Sequence, residues 1–214
     1  MTPDRLGALL GAPPTPVGTW ADAARYTSPA LLHPREGADL TVEGLRSVDG
    51  VAAVETQPNG LLLVTVTLPG EHVAELEELP HLAWCVWPDR PRTWDNPGFV
   101  VKFAYARAVA VARWAARLDV PMTGFRPELL DAPEDRAVLR RLAELPSRRA
   151  SRDPRWASFA QQLAGAYHDA HEHAPAIPAG DEPVCERHTA RLWLARAVRI
   201  VLAAVSAEVP PDRL

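Results

Sequence analysis

Apolar side chains recur with a helical period along most of the second half of the chain, and the longest such stretch follows Asn96-Pro97. Asparagine is favoured at helix N-caps, and proline suits the first turn because its missing N–H would have no partner there. The sequence therefore predicts a helix over residues 99–118 behind this cap. The apolar residues predicted to face the core share one side of it: Val100, Phe103, Val111, Trp114 and Leu118.

Three further stretches keep the same period, at residues 135–145, 155–171 and 185–207. The last of these is nearly apolar all round between positions 192 and 205, which is typical of a buried central helix. A basic segment, PSRRASRDP, is expected to be a loop between the first two. The pattern predicts an antiparallel helical bundle over residues 96–214.

The first half of the chain has a different pattern, with short elements and many prolines. A short amphipathic helix is predicted at residues 3–10, followed by an irregular arm to residue 38 that Trp20, Tyr26, Leu31 and Leu32 would hold in place. Residues 51–57 and 61–68 read as a hairpin around Pro58-Asn59-Gly60, because Asn-Gly supplies the positive φ of tight turns. Short helices are predicted on either side, at residues 41–47 and 71–79.

These patterns predict a mainly α protein in which a small α/β unit, residues 1–80, precedes the helical region of residues 96–214. Residues 81–95 form a linker that carries Trp84, Trp87 and Trp94. Tryptophan can stack on nucleobases, but a short apolar linker has to bury its rings, so packing between the two regions is the favoured interpretation.

Composition places the chain among globular proteins, since 47% of its 214 residues are hydrophobic. It has no apolar run long enough to span a membrane and no pattern of a secretion signal, so a cytoplasmic protein without membrane contact is expected. Cys85 and Cys185 are expected to be free thiols, although a disulfide between them remains an alternative.

The net charge of −4 conceals an asymmetry between the two halves. Residues 1–95 carry 6 basic and 13 acidic side chains, whereas residues 96–214 carry 17 and 14. Residues 136–155 alone contain seven arginines. Such a basic segment is the electrostatic pattern of a phosphate-backbone contact. The alternative is compositional, because arginine is the usual base of this chain, with 22 Arg and a single lysine, Lys102.

Few residues are candidates for chemistry. His168, His171 and Glu172 could share a face at the end of the third helix, but a solvated helix end is favoured over a zinc site. Arg107 falls within the aromatic side of the first helix, where a structural ion pair is the favoured role. The sequence has no phosphate-binding glycine loop and no nucleophile motif, so no catalytic residue, metal site or cofactor is predicted.

The stretch NPGFVVKFAYAR, residues 96–107, resembles the start of the anticodon-binding (DALR) domain of arginyl-tRNA synthetases. That family has Asn-Pro, two aromatics, Val-Gln-Tyr and Ala-His-Ala-Arg there. The likeness resumes at AQQLAGAYHDAHEHAPAIP and at ARLWLARAVRIVLAAVSAEVPPDRL, where the family closes with Ala-Pro-Glu-Arg-Met. A weaker likeness links DGVAAVETQPNGLLLVTVTLPGEHVAEL to the family's N-terminal domain. The resemblance implies the helical bundle of a class I synthetase anticodon-binding domain.

The resemblance also implies tRNA as the partner, and it places the family's base-reading residues at Asn96, Val100, Tyr167 and Leu214. Phe99, beside Val100, is an additional candidate for stacking. Candidates for contact with the tRNA backbone combine the basic side of the first helix with the arginine-rich segment: Lys102, Arg113, Arg117, Arg140, Arg141, Arg148 and Arg149.

The catalytic motifs of the family are absent from the printed sequence. It contains no His-x-Gly-His, and a chain with one lysine cannot form a Lys-Met-Ser-Lys loop. The sequence therefore favours a non-catalytic relative that binds tRNA. Two alternatives stay open: a module that kept the fold and binds a synthetase or another protein through residues 84–87 or the acidic first half, and a tRNA-dependent enzyme whose active site the sequence does not reveal.

Overall fold

The computed structural model describes residues 1–32 and 41–214. A four-stranded antiparallel sheet is built from β1 (Thr15–Val17), β2 (Ala24–Ser28), β3 (Val51–Thr56) and β4 (Leu62–Val66), in the order β1-β2-β4-β3. Helix α1 (Pro3–Leu10) precedes the sheet, α2 (Val42–Arg46) precedes β3, and α3 (His72–Glu75) follows β4. A mainly α fold with a small sheet is thus confirmed.

The predicted hairpin is confirmed as β3 and β4, which pair from Val51 opposite Val66 to Thr56 opposite Leu62. Gly60 closes the turn at φ +80°. Helix α1 is also confirmed, and the Thr2 hydroxyl caps it by accepting the N–H of Arg5.

The prediction of an irregular arm after α1 is wrong for its described part, because β1 and β2 lie there. Ala24, Tyr26 and Ser28 of β2 are buried, so this strand follows an inside–outside alternation. The strand forms because it pairs with β4, which is distant in the sequence. The prolines around β2 obscure its alternating pattern in the sequence. Trp20 and Tyr26 are buried as predicted, whereas Leu32 is exposed. Residues 33–38 of the predicted arm lie outside the described residues.

Helix α3 is shorter than predicted, because the backbone leaves the helical region at Leu76, where ψ is 76°. Three glutamates lie close together at positions 75, 77 and 78. Their mutual repulsion, together with Pro80, opposes a further turn.

The second half of the chain contains α4 (Pro97–Arg117), α5 (Pro133–Leu142), α6 (Leu145–Ala150), α7 (Trp156–His173) and α8 (Glu186–Ala204), with a 3-10 turn at Pro127–Leu129. Helix α4 packs on α7 and α8, and α5 packs on the same two helices. The predicted helices are therefore confirmed, but the predicted loop PSRRASRDP is wrong at its start. Helix α6 forms there, with Pro146 in its first turn, where proline is tolerated.

The core-facing side of α4 also differs from the prediction. Val111 is buried as expected, but Trp114 and Leu118 are exposed, and Val100 and Phe103 are only partly buried. The buried stripe is made largely of smaller residues: Val101, Ala104, Tyr105, Ala108, Val111 and Ala115. Small side chains allow helices to approach closely, so the alanines meet α7 and α8 while the large rings lie at the margin.

Nearly all buried hydrophobic residues of the sheet and the helices belong to one cluster, which extends from Met1 to Val205. The segment of residues 82–87 lies along the end of α8, with the N–H of Cys85 donating to the carbonyl of Val205 at 3.1 Å. Cys85 and Cys185 are both free thiols. In the described part of the chain, no helix combines the length and the apolar character that a membrane span requires.

Candidate nucleic-acid interface

The start of α4 is fixed by Asn96 and Gly98. The Oδ1 of Asn96 accepts the N–H of Gly98 at 3.0 Å, and its Nδ2 donates to the carbonyl of Pro91 at 2.8 Å. A Cβ at position 98 would lie 2.1 Å from the carbonyl oxygen of Pro88, so only glycine fits. The segment before α4 is thereby held against the helix, which positions Trp94.

Trp94 completes a group of rings that we call the aromatic cluster: Trp94, Phe99, Phe103 and His168. The ring of Trp94 lies 6.0 Å from that of Phe99, 5.9 Å from that of Phe103 and 4.9 Å from that of His168, centroid to centroid. Phe99 and Phe103 stack on each other at 5.3 Å. Trp94 is 57% exposed, so the cluster presents ring surface to solvent.

The side chain of Arg107, on α4, packs against this cluster. Its guanidinium is 4.5 Å from the ring of Phe103 and 5.8 Å from that of Trp94. It forms an ion pair with Glu172 at 3.1 Å, as the sequence predicts, and it donates to Nδ1 of His168 at 3.1 Å. A cation is therefore fixed against the rings by two partners on α7.

His168 is buried, so the predicted solvated helix end is wrong for this residue. Burial lowers the pKa of His168, and the neighbouring Arg107 lowers it further, although the carbonyl of Val100 acts in the opposite direction. Nε2 therefore carries the proton and donates to that carbonyl at 2.9 Å, while Nδ1 accepts from Arg107. The imidazole links α7 to the first turn of α4.

The structure places the base-reading candidates in different surroundings. Asn96, Phe99 and Val100 lie together at the start of α4, and Phe99 belongs to the aromatic cluster. Tyr167, next to His168, is only 4% exposed, and its burial raises the pKa of its hydroxyl. Leu214 is partly buried at the end of the chain.

The backbone candidates on α4 are more accessible. Arg113 and Arg117 are exposed, and the guanidinium of Arg117 lies over the ring of Trp114 at 5.1 Å. The ammonium of Lys102 is 3.3 Å from Asp89, in the segment that leads to Trp94. This pair orients the lysine on the same helix that carries Phe99 and Phe103.

Three of the four backbone candidates in the arginine-rich segment are engaged by one carboxylate. Glu144 is 7% exposed and binds Arg140 at 2.7 Å, Arg141 at 2.8 Å and Arg148 at 2.6 Å. We call these four residues the Glu144 cluster. Burial acts to raise the pKa of Glu144, but hydrogen bonds from Arg148 and Arg141 outweigh it, and the net effect lowers that pKa.

Two of these arginines also bind the backbone. Arg140 donates to the carbonyl of Gly18 at 2.6 Å, and Arg148 donates to that of Pro154 at 2.6 Å and covers the ring of Phe159 at 4.9 Å. Arg149, the next residue, is exposed. The cluster thus ties α5 and α6 to the loop before β2, and most of its charge is used inside the molecule.

The three linker tryptophans lie in three different environments. Trp87 is buried as predicted, and its Nε1 donates to the hydroxyl of Ser206 at 2.9 Å. Trp84 and Trp94 are exposed, so the expected burial is wrong for both. Trp84, at 76% exposure, stacks on His81 at 4.0 Å. The role of Trp94 in the cluster was missed, and the only signal in the sequence was its position two residues before the Asn96 cap.

In the part of the chain that the structure describes, no group of three or more His, Cys, Asp or Glu side chains is arranged to hold a metal ion. The available groups are instead ring faces and guanidinium groups. These can stack on bases and contact phosphates without covalent chemistry.

Comparison with known proteins finds similarity to an arginine–tRNA ligase. The chain is 44% identical over 117 residues to the arginine–tRNA ligase of Clavibacter sepedonicus. This similarity supports relatedness to the synthetase. The match covers 52% of this chain and 21% of that protein, so the chain spans about a fifth of the relative's length. No family model and no solved structure matches the chain.

Proposed function

We propose that residues 96–214 form an anticodon-binding domain of the arginyl-tRNA synthetase type, and that the chain binds the anticodon stem–loop of tRNA in the cytoplasm. The relationship to an arginine–tRNA ligase supports this proposal. The resemblance of residues 96–107 to the start of that domain also supports it, because this stretch forms the start of α4 and contributes Phe99 and Phe103 to the aromatic cluster.

The exposed ring of Trp94 is the single observation that carries the proposal. Single-stranded RNA loops are bound chiefly by stacking unpaired bases on aromatic rings and guanidinium planes. Trp94 offers such a ring, backed by Phe99 and Phe103 and placed over the fixed cation of Arg107. An anticodon loop is the part of a tRNA in which bases are free to stack in this way.

Basic side chains on the surface of the domain would then contact the phosphates of the stem. Lys102, Arg113 and Arg117 lie on α4, the helix that carries Phe99 and Phe103. In the arginine-rich segment, Arg149 is the exposed candidate. The Glu144 cluster supports the domain that presents these groups, and its own arginines are secondary candidates for RNA contact.

We further propose that the chain does not itself aminoacylate tRNA. Its sequence contains neither the His-x-Gly-His motif nor a second lysine, which a Lys-Met-Ser-Lys loop requires. The match to only 21% of the ligase fits a chain without the catalytic portion. ATP–pyrophosphate exchange by the purified chain is expected to be absent, and arginine-dependent exchange would contradict this part of the proposal.

Fluorescence anisotropy with a labelled anticodon stem–loop of an arginine tRNA tests the binding. Saturable binding is expected, and it should weaken steeply with salt, since about three or four phosphate contacts give a slope of log K against log[salt] near −3. A blunt RNA duplex of equal length, which has no unpaired bases, is the control and should bind more weakly. Equal affinity for both RNAs, or co-purification of a protein partner with no RNA affinity, would contradict the proposal.

A further inference from the structure

A cavity of about 240 Å³ lies where α1 and α3 meet the end of α5 and the start of α6. Its walls include four leucines, at positions 76, 79, 142 and 145. Its charged groups are Asp4 of α1, Glu75 of α3, and Glu78 and Arg149. A concave site with apolar walls and a few polar groups is typical of small-molecule binding, and this volume suits a ligand of only a few heavy atoms.

The carboxylates of this cavity lack cationic partners. Asp4, Glu75 and Glu78 form no ion pair among the described residues, and the N-terminal ammonium pairs with Glu71 instead. Burial raises the pKa of Glu75, and the charges of Asp4 and Glu71 raise it further. Three carboxylates and one guanidinium leave the lining with a net charge of −2, so the cavity attracts positive charge.

His72 is a second and independent indication of a ligand. It lines the same cavity and is 6% exposed, and its Nε2 is buried without a hydrogen-bond partner among the described residues. Burial lowers the pKa of His72 to about 4, although the carbonyl of Leu139 acts in the opposite direction, so the ring is neutral at pH 7. In the tautomer with its proton on Nδ1, Nε2 can accept a hydrogen bond. A buried polar atom without a partner is rare in proteins, and a bound donor would satisfy it.

The spacing of these groups favours an organic cation over a metal ion. Within residues 1–32 and 41–214, no three His, Cys, Asp or Glu side chains are close enough to hold one metal ion. Carboxylates that are spread around apolar walls suit a molecule with separated positive charges on a hydrocarbon chain. Such a molecule can bring its charged ends to the carboxylates and pack its methylene groups on the leucines.

We propose that this cavity binds a short aliphatic diamine. Its two ammonium groups contact the carboxylates of Asp4, Glu75 and Glu78, and one of them also donates a hydrogen bond to Nε2 of His72. The two positive charges of the ligand match the net charge of −2 on the lining. Because the lining comes from α1 and α3 as well as from α5 and α6, the ligand joins the N-terminal unit to the helical region. This binding does not depend on the proposed binding of tRNA.

Isothermal titration calorimetry of the intact chain with 1,4-diaminobutane at pH 7 tests the proposal. Saturable binding of one molecule per chain is expected. Butylamine, which has one ammonium group, should bind about tenfold more weakly, because it loses one set of charge-assisted hydrogen bonds. The neutral analogue 1,4-butanediol has the same chain length and should show no saturable binding.

Two neighbouring glutamates separate this site from general attraction to an acidic surface. Glu78 lines the cavity and Glu77 does not, and both side chains are exposed. Glu78→Gln should weaken binding of the diamine by about tenfold, whereas Glu77→Gln should change it by less than about twofold. His72→Phe should also weaken it severalfold, and Glu78→Gln keeps the test valid if the change at the buried His72 disturbs the fold. Absence of saturable binding, equal affinity for 1,4-butanediol, or equal losses in Glu77→Gln and Glu78→Gln would overturn the proposal.

Discussion

The Glu144 cluster and the aromatic cluster both place an arginine over a phenylalanine ring, but they use the cation differently. In the first, Arg148 covers the fully buried Phe159 and is held by a carboxylate that is itself buried. In the second, Arg107 lies over Phe103, beside the exposed Trp94, and its carboxylate partner Glu172 is half exposed. The first arrangement stabilises the fold, whereas the second leaves ring surface free for a ligand.

The difference shows that the density of arginine along a sequence is a poor measure of the charge available for binding. A buried carboxylate such as Glu144 needs partners to offset its desolvation, and three of the seven arginines in residues 136–155 supply them. The predictions below test whether the two clusters have these separate roles.

Removal of the Glu144 carboxylate should have the largest effect on stability. Glu144→Ala is expected to lower the free energy of unfolding by about 3 kcal/mol, because three guanidinium groups lose their common partner. Glu172→Ala, which removes the exposed partner of Arg107, is the matched control and should cost at most about 1 kcal/mol. Urea unfolding followed by circular dichroism measures both, and equal losses would remove the distinction between the clusters.

The second-largest difference in stability is expected between variants of the neighbouring residues Arg148 and Arg149. Arg148→Ala is expected to cost about 2 kcal/mol, because it breaks a charge-assisted bond to Glu144, a bond to Pro154 and the contact with Phe159. Arg149→Ala removes an exposed side chain and should change the stability by less than about 0.5 kcal/mol. The same unfolding measurement compares them. A destabilised Arg149→Ala beside an unaffected Arg148→Ala would contradict the assignment.

Acidic pH should remove the contribution of Glu144 to the stability of the fold. Because the net shift of its folded-state pKa is downward, its ionised form stabilises the folded chain at pH values above the pKa of the unfolded state, about 4.3. That contribution is lost as the pH falls through the lower, folded-state pKa. The stability difference between the wild-type chain and Glu144→Gln should therefore shrink from pH 6 to pH 3. A difference that grows on acidification would have the wrong sign.

Much of the secondary structure follows from local signals. The Asn-Gly turn predicts the hairpin of β3 and β4, and Asn96-Pro97 predicts the start of α4. The stripe of α7 is equally clear, with Phe159, Leu163 and Tyr167 buried at helical spacing. In each case the residues that determine the element are adjacent in the chain or share one face.

The missed features depend on distant partners. Strand β2 exists because β1 and β4 pair with it, and the prolines nearby mask its alternation. The core side of α4 is decided by close helix packing, which favours alanine over tryptophan. The Glu144 cluster depends on the burial of Glu144, and nothing in the sequence distinguishes this residue from a solvated glutamate.

The sequence indicates only part of the candidate site. The resemblance points to Phe99 and Val100, and both residues lie at the start of α4. The sequence does not indicate that Trp94 and His168 approach Phe103, because this requires the segment before α4 to fold back over Gly98 and α7 to pack beside α4.

A comparison of two exposed tryptophans tests the central claim most directly. Anisotropy of a labelled anticodon stem–loop should be measured with the wild-type chain, Trp94→Ala and Trp84→Ala, after unfolding curves show that all three are folded. The account predicts that Trp94→Ala weakens binding by about tenfold, the loss expected for one stacked base, while Trp84→Ala binds like the wild type. Unchanged affinity of Trp94→Ala, or an equal loss with Trp84→Ala, would contradict it.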